Sequence, residues 1–207
     1  MLTLVLATAN AHKQEEMKHL LTAGPWQIRT PQDLGMQLEI EETGPTYAAN
    51  AYLKAHAWAK ATGLWALADD TGLEVEALKG EPGLYSARYG PPGTPLPTAA
   101  LRRAYLLERL QGHPRPWRAR FRCVLALVSP QGSALFAEGV LPGEIIPEEK
   151  GEHGFGYDPL FYLPEQGRTL AQLTLEEKNR VSHRARAVTA LRPALETLAQ
   201  RLEANRP

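Results

Sequence analysis

Cysteine is almost missing from this sequence: Cys123 stands alone among 207 residues, so no intramolecular disulfide can form. Its apolar flanks, Phe121 to Val128, read as a buried strand rather than a reactive thiol site. A core thiol in a reducing compartment is the expectation, which points to the cytoplasm. Net charge is missing too. The 23 basic and 23 acidic side chains cancel, which removes the electrostatic footprint of a general nucleic-acid binder. No apolar run approaches the ~20 residues that a spanning helix requires, so no membrane partner is expected. The opening Met1 to Ala7 has no basic lead and is too short for a secretory apolar region; it is expected to be a strand rather than an address. Repeats and low-complexity linkers are absent as well, leaving one continuous α/β body. What is present, 43% hydrophobic and 22% charged residues, is the composition of a globular chain long enough to bury a core without covalent staples.

The pattern along the chain mixes both periodicities. Leu2 to Ala7 is a short β-rich run, followed by a polar turn and by Lys13 to Leu21, where Met17, Leu20 and Leu21 have helical spacing. Trp26 to Thr30, and more weakly Met36 to Ile40, read as strands, and Thr46 to Thr62 as a helix ended by Gly63. Leu64 to Ala68 reads as a buried strand stopping at Asp69-Asp70, with Thr71-Gly72 turning the chain into a second short strand, Leu73 to Ala77. Lys79 to Pro97 is rich in proline and glycine and reads as loop, and Thr98 to Leu110 as helix. Arg118 to Val128 and Ser133 to Leu141 carry the strongest hairpin signal, with a further strand expected near Gly143. Thr174 to Glu177 has capping-box spacing. A last helix is expected over Ser182 to Glu203, kinked or broken at Pro193, which costs ~3 kcal/mol if unrelieved in mid-helix.

Two polar clusters follow buried strands, where open α/β sheets place their ligands. Thr8-Ala9-Asn10-Ala11-His12-Lys13 brings a hydroxyl, an amide, an ammonium and free helix N-terminal amides together, a combination suited to phosphate; taken alone, these residues favour an ordinary cap at Asn10 with Lys13 in solvent. The glycines and Lys-Ser/Thr pair of a P-loop are missing. Asp69-Asp70 are adjacent carboxylates that repel unless a cation offsets them, and Mg²⁺, held by one or two carboxylates plus substrate phosphates, is the economical answer; a solvated turn is the alternative. Glu41-Glu42 is a second acidic pair. Asn50 and Lys54 share a helix face. Phe155-Gly156-Tyr157-Asp158 sets aromatics beside glycines, leaving ring faces for stacking a planar base or for covering the core. Lys178, His183 and Arg184 add fixed donors near the start of the last helix.

Taken in order, seven segments resemble the inosine triphosphate pyrophosphatase family: Thr8-x-Asn10-x-x-Lys13, Glu41-Glu-Thr-Gly44, Asn50-Ala-x-x-Lys54-Ala, Ala68-Asp-Asp-Thr-Gly-Leu-Glu-Val75, Pro82-Gly-x-Tyr-Ser-Ala-Arg-Tyr89, Gly154-Phe-Gly-Tyr-Asp-Pro159, and Glu177-Lys178 with Ser182-His-Arg184. The resemblance implies an elongated, twisted mixed β-sheet flanked by helices, in two lobes with a central nucleotide cleft, usually in a homodimer. It implies Mg²⁺-dependent hydrolysis of deaminated purine nucleoside triphosphates (ITP, dITP, XTP) to monophosphate and pyrophosphate. By the same resemblance Thr8 to Lys13 bind the triphosphate, Glu41 and Asp70 bind metal with Asp69 as an alternative, and Asp70 accepts the proton. Thr71, Phe155, Gly156, Tyr157, Asp158, Lys178, His183 and Arg184 contact the nucleotide, and Lys54 and Arg88 are assigned to phosphate or cleft. Thr71 stands where serine is common, and Glu152-His153 precede the Gly154 loop where smaller residues are expected.

The chemistry then requires water activated against the α-phosphorus. A 6-keto purine offers an acceptor at O6 and a donor at N1, the reverse of adenine, so donors from Lys178, His183 or Arg184 would exclude ATP. Exclusion of GTP is expected of a wall near C2 formed by the Phe155 to Asp158 loop. Two rival readings are a neighbouring family of house-cleaning pyrophosphatases acting on other modified nucleotides and a nucleotide-binding sensor without turnover.

Overall fold

A computed structural model of the chain describes residues 1–94 and 96–204. Seven strands form one mixed sheet in the order β2-β1-β3-β4-β5-β6-β7: β1 Leu2–Leu6, β2 Trp26–Arg29, β3 Trp65–Val75, β4 Trp117–Val128, β5 Ala134–Ile145, β6 Phe161–Leu163 and β7 Arg168–Thr169. Strand β1 runs parallel to β2 (Leu4 opposite Ile28) and to β3 (Val5 opposite Ala66), and the β5-β6-β7 end is antiparallel. Five α-helices accompany it: α1 Ala11–Leu21, α2 Tyr47–Thr62, α3 Ala99–Leu110, α4 Leu175–Val181 and α5 His183–Ala204. The chain forms two compact units, one of Met1–Asp70, Cys123–Gly139 and the residues from Arg184 on, the other of Thr71–Arg122 and Val140–His183.

In the first unit, alternation along the strands sorts side chains to two faces. Leu2, Leu4 and Leu6 of β1 and Leu67 of β3 join Met17 and Leu21 of α1 and Val188, Leu191 and Leu195 of α5. Val5 and Ala7, with Ala66 and Ala68, meet Ala51, Ala55 and Trp58 of α2. Leu4 is fully buried, and truncating such a leucine to alanine costs about 2–5 kcal/mol. Cys123 lies in the α1/α5 face, completely covered. The second unit is built on Leu73 and Val75 of β3, Leu106 and Leu110 of α3, and Phe121, Leu141 and Phe161. Among the described residues no helix is long and apolar enough to cross a membrane.

Several boundaries differ from the sequence expectation. Asp69 to Gly72 do not turn the chain: β3, 11 residues long, continues through them, because its place in the sheet beside β4 supplies a pairing environment that outweighs weak strand propensity. Met36 to Ile40 is extended without pairing into the sheet. Strand β5 reaches Ile145 without a break, so the strand expected near Gly143 is its continuation, and the short β6 and β7 carry no sequence signal. Helix α5 runs through Pro193 uninterrupted, so no break occurs there; Leu191, Leu195 and Ala199 on both sides of the proline are packed in the core, and tertiary packing holds the element. The loop from Lys79 to Pro97 is as expected, with 3₁₀ turns at Glu76–Leu78 and Gly83–Tyr85 bordering or within it; Pro95 within this stretch lies outside the described residues.

Candidate active site

In the first unit the site is built where β1 gives way to α1. Asn10 caps α1, its side chain accepting from the Lys13 N–H at 3.2 Å, and the Asn10 N–H donates to Thr8 Oγ1 at 3.2 Å. Gln14 Nε2 donates to the Thr8 carbonyl at 2.7 Å, fixing the turn from behind. Ala9, Asn10, Ala11 and His12 are exposed around a half-buried Thr8 and Lys13. Lys13 does not extend into solvent: its Nζ lies 2.8 Å from Asp69 Oδ2.

Because successive strand residues face opposite sides, Asp69 and Asp70 enter different environments. Asp69, on the side of Leu67, meets Lys13 and, at 3.3 Å, Arg184 Nη2. Arg184 is fully buried, and its Nη1 pairs with the carboxylate of Glu16, itself buried on α1. Burial alone would raise the Asp69 carboxyl, but Lys13, Arg184 and Lys54 outweigh it and hold it far below the usual carboxylate range. Burial likewise disfavours the Arg184 charge, yet Asp69 and Glu16 raise its pKa further.

Asp70, on the side of Ala66 and Ala68, faces α2. Asn50 Nδ2 donates to Asp70 Oδ2 at 3.2 Å, and the Asn50 side-chain oxygen accepts the Gly44 N–H at 2.7 Å, so this buried amide links the acidic segment to β3. Lys54 Nζ lies 2.5 Å from Glu42 Oε1 and 3.7 Å from Asp70 Oδ1. Burial raises the Asp70 carboxyl; Lys54 opposes the shift, Glu42 adds to it, and the net direction is upward. Thus the two adjacent carboxyls are tuned in opposite directions, the arrangement that separates a fixed charge from a proton acceptor.

Side chains from Leu34 to Gly44 alternate between partly buried and exposed. Leu38, Ile40 and Glu42 face inward, and Glu41 is exposed without an ion pair or hydrogen bond to any described residue. Glu42 pairs with Lys54, whereas the Glu41 side chain faces outward. Among the described residues no three His, Cys, Asp or Glu side chains converge into an all-protein metal cage. A hard divalent ion that takes one or two carboxylates and completes its shell with water and phosphate oxygens suits the chemistry of a carboxylate such as Asp70.

In the second unit, Phe155 to Asp158 form a tight turn. The Phe155 N–H donates to Asp158 Oδ2 at 2.8 Å, and Lys178 Nζ sits 2.6 Å from the same oxygen and 4.9 Å from the Phe155 ring centroid. Gly154 has φ +73°, and a Cβ there would stand 2.2 Å from Asp158 Oδ2. The Tyr157 hydroxyl donates to the Ser86 carbonyl at 3.0 Å, and burial raises its pKa. Lys178 is held on α4 by a complete capping box, Thr174 N–H to Glu177 Oε2 at 2.8 Å and Glu177 N–H to Thr174 Oγ1 at 3.2 Å. His183 is buried and stacks on Phe121, centroids 4.7 Å apart. Thr71, half-buried, follows Asp70 on β3. Arg88 is exposed, its guanidinium 5.1 Å from the Tyr85 ring.

The first unit therefore gathers Thr8, Asn10, Lys13, Lys54, Asp69, Asp70 and Arg184, and the second gathers Phe155, Gly156, Tyr157, Asp158 and Lys178. Arg184, expected from the sequence to be a nucleotide donor, has its guanidinium between Glu16 and Asp69. Sequence reasoning missed Glu16 and Arg103, whose partners lie far along the chain, and Gln14, which supports the Thr8 carbonyl six residues back. Glu16 was within reach, since it lies three residues after Lys13 and so near it on the helix surface.

The chain as a whole is similar to known proteins. Residues 4–194 match the model of the Ham1 family. The chain is 51% identical over 191 residues to a dITP/XTP pyrophosphatase of Thermus thermophilus, covering 91% of this chain and 89% of that protein. It is 48% identical over 193 residues to the dITP/XTP pyrophosphatase of Nostoc sp., covering 93% of each. Among solved structures, a HAM1 protein from Coxiella burnetii superposes with a TM-score of 0.84 at 41% identity, covering 95% of this chain and all of that one.

Proposed function

The chain belongs to the Ham1 family, and from that premise we propose that it is a nucleoside triphosphate pyrophosphatase that hydrolyses deaminated purine nucleotides, dITP, ITP and XTP, to the monophosphate and pyrophosphate. The observation that carries the reading is the opposite tuning of Asp69 and Asp70 on the two sides of β3. Asp69 is a permanent anion that holds Lys13 beside the Thr8 to His12 turn, where ammonium and free amides suit a triphosphate. Asp70 is the carboxylate with raised basicity and takes the proton of the attacking water. The water oxygen bonds to the α-phosphorus as the bond from that phosphorus to the bridging oxygen breaks, and pyrophosphate leaves with its charge offset by Lys13 and Lys54. Asp70 and Glu41 would hold a Mg²⁺, which would add neutralisation of the triphosphate and lower the pKa of a nearby water.

Base selection belongs to the second unit's cluster. Lys178 sets an ammonium donor beside the Asp158 carboxylate, an acceptor, at 2.6 Å. Donor beside acceptor matches the O6 and N1–H edge of hypoxanthine and xanthine and mismatches adenine at both positions. Phe155 supplies a ring face for stacking, and Thr71, Gly156, Tyr157 and His183 complete the nucleotide contacts. Arg184 acts through Asp69. The cytoplasm, suggested by the lone buried thiol, and a homodimer are the setting we assign to the enzyme.

Hydrolysis of ITP in H₂¹⁸O with Mg²⁺ tests the reading. Label in IMP, with unlabelled pyrophosphate as the only other product, is expected; label in orthophosphate or pyrophosphate, or tight ITP binding without turnover, contradicts it.

A further inference from the structure

The Phe155 to Asp158 turn is secured from a second side by a residue that the base-recognition scheme does not use. Arg103 lies on α3, with its side chain mostly buried. Its Nη1 donates to the Gly156 carbonyl at 2.9 Å, and its Nε lies 2.8 Å from a Glu149 carboxylate oxygen. The Glu149 contact is an ion pair without hydrogen-bond geometry at Nε; it keeps the planar guanidinium charged and near the turn that Nη1 reaches.

The carbonyl that Arg103 holds belongs to the Gly156–Tyr157 peptide. In a trans peptide the C=O and the following N–H point in opposite directions, so the Tyr157 N–H is directed away from Arg103. No described residue accepts a hydrogen bond from it. Gly156 has φ +64° and open space where a Cβ would stand. A glycine there leaves the rotation on its side of the peptide unrestrained by a side chain, so the plane is free to tilt and carry the N–H away from its present direction. The loop's own bonds, Phe155 N–H to Asp158 Oδ2 and Asp158 N–H to the Phe155 carbonyl, close the turn around this peptide without gripping it. Arg103 is the side-chain contact that holds this carbonyl and so sets the tilt of the plane.

We propose that Arg103 is a specificity-positioning residue: by holding the Gly156 carbonyl it locks the Gly156–Tyr157 peptide so that the Tyr157 N–H is presented as a fixed donor to an acceptor on a keto-purine. The inference rests on the reading of this loop as the seat of the base. Arg103 touches neither substrate nor the reacting atoms, so its removal acts on base binding and leaves the phosphate end unchanged.

The test compares wild type with Arg103→Lys, Arg103→Ala and Glu149→Gln. Steady-state hydrolysis of ITP, inhibition by pyrophosphate, and the Tyr157 amide signal in ¹⁵N-tyrosine-labelled protein are measured. Lysine keeps the charge but cannot span both Glu149 and Gly156. Arg103→Lys and Arg103→Ala are expected to raise KM for ITP about tenfold, the size of one lost hydrogen bond to a buried group. Turnover and the pyrophosphate inhibition constant should stay within about twofold, with the Tyr157 amide signal shifted or broadened. Glu149→Gln should move KM in the same direction by less. Unchanged KM with an unmoved Tyr157 signal overturns the proposal, as does a parallel rise in KM and in the pyrophosphate constant, which marks general damage. If Arg103→Ala does not fold, the other two variants carry the test. Wild type that fails to hydrolyse ITP refutes the functional reading instead, and the amide signal then still decides whether Arg103 orients the peptide.

Discussion

Asp69 and Asp70 are consecutive residues of one strand, yet Asp69 is clamped by Lys13 at 2.8 Å while Asp70 receives the Asn50 amide at 3.2 Å on the other side. The pleat that separates them gives two adjacent buried carboxylates different nearest partners, and their neutral substitutions should have different consequences.

Asp70→Asn is expected to lower kcat by ~10²–10⁴, the loss of a positioned base, with little change in melting temperature. Asp69→Asn strands the buried charges of Lys13 and Arg184 and should destabilise the fold by about 3–5 kcal/mol. Denaturant unfolding beside steady-state rates distinguishes the two; equal rate losses with equal stability would refute the division of roles.

Acid stability follows from the same pair. Although burial opposes its ionisation, Asp69 titrates far below its ordinary value of 3.8 because Lys13 and Arg184 outweigh burial. A carboxyl depressed on folding contributes its full stabilisation above the unfolded pKa, and that contribution is lost as pH falls from there toward the folded value. Wild-type stability should therefore drop steeply below about pH 4, and less steeply in Asp69→Asn. Asp70 has the opposite sign: its raised pKa favours the fold at low pH, and the benefit is lost as pH rises through the folded value. Urea melts from about pH 2 to pH 7 provide the check.

The alternating exposure of Leu34 to Gly44 assigns different work to the two glutamates. Glu41→Gln should raise the Mg²⁺ concentration for half-maximal rate ~10-fold or more, whereas Glu42→Gln should leave Mg²⁺ dependence nearly unchanged and release Lys54. Rates titrated with Mg²⁺ decide; the reverse pattern would move the ligand to Glu42.

Much of this was legible in the sequence. The βα unit at the N-terminus, the β4-β5 hairpin, the Thr174 capping box and the end of α2 at Gly63 follow from local pattern, because hydrophobic period, caps and turn residues act within a few positions. The continuity of β3 was not legible: Asp69 to Gly72 look like a turn by composition, and only pairing with strands distant in sequence holds them extended. The same holds for Arg184, whose partners Glu16 and Asp69 stand 168 and 115 residues away. A charged residue at a helix start reads as a surface donor until the fold encloses it. Arg103 gave no signal at all, since a side chain that serves a backbone carbonyl of another segment leaves no motif.

Gly154→Ala tests the tightness of the base turn. A Cβ at φ +73° would stand 2.2 Å from Asp158 Oδ2, displacing the carboxylate that Lys178 and the Phe155 N–H share. The expected result is a rise of at least ~10-fold in KM for ITP and a loss of about 1–3 kcal/mol of stability. Unchanged KM would show that the turn takes no part in binding.

The most direct test is a comparison of kcat/KM for pyrophosphate release from dITP, XTP, dGTP and dATP by the wild-type enzyme with Mg²⁺. The Lys178–Asp158 edge predicts dATP lower than dITP and XTP by ~10⁴ or more, whereas dGTP, which presents the same O6 and N1–H edge, is expected to be slower only through a wall of the Phe155 to Asp158 loop near C2. dATP hydrolysed as efficiently as dITP would contradict the assignment of that edge to keto-purine recognition.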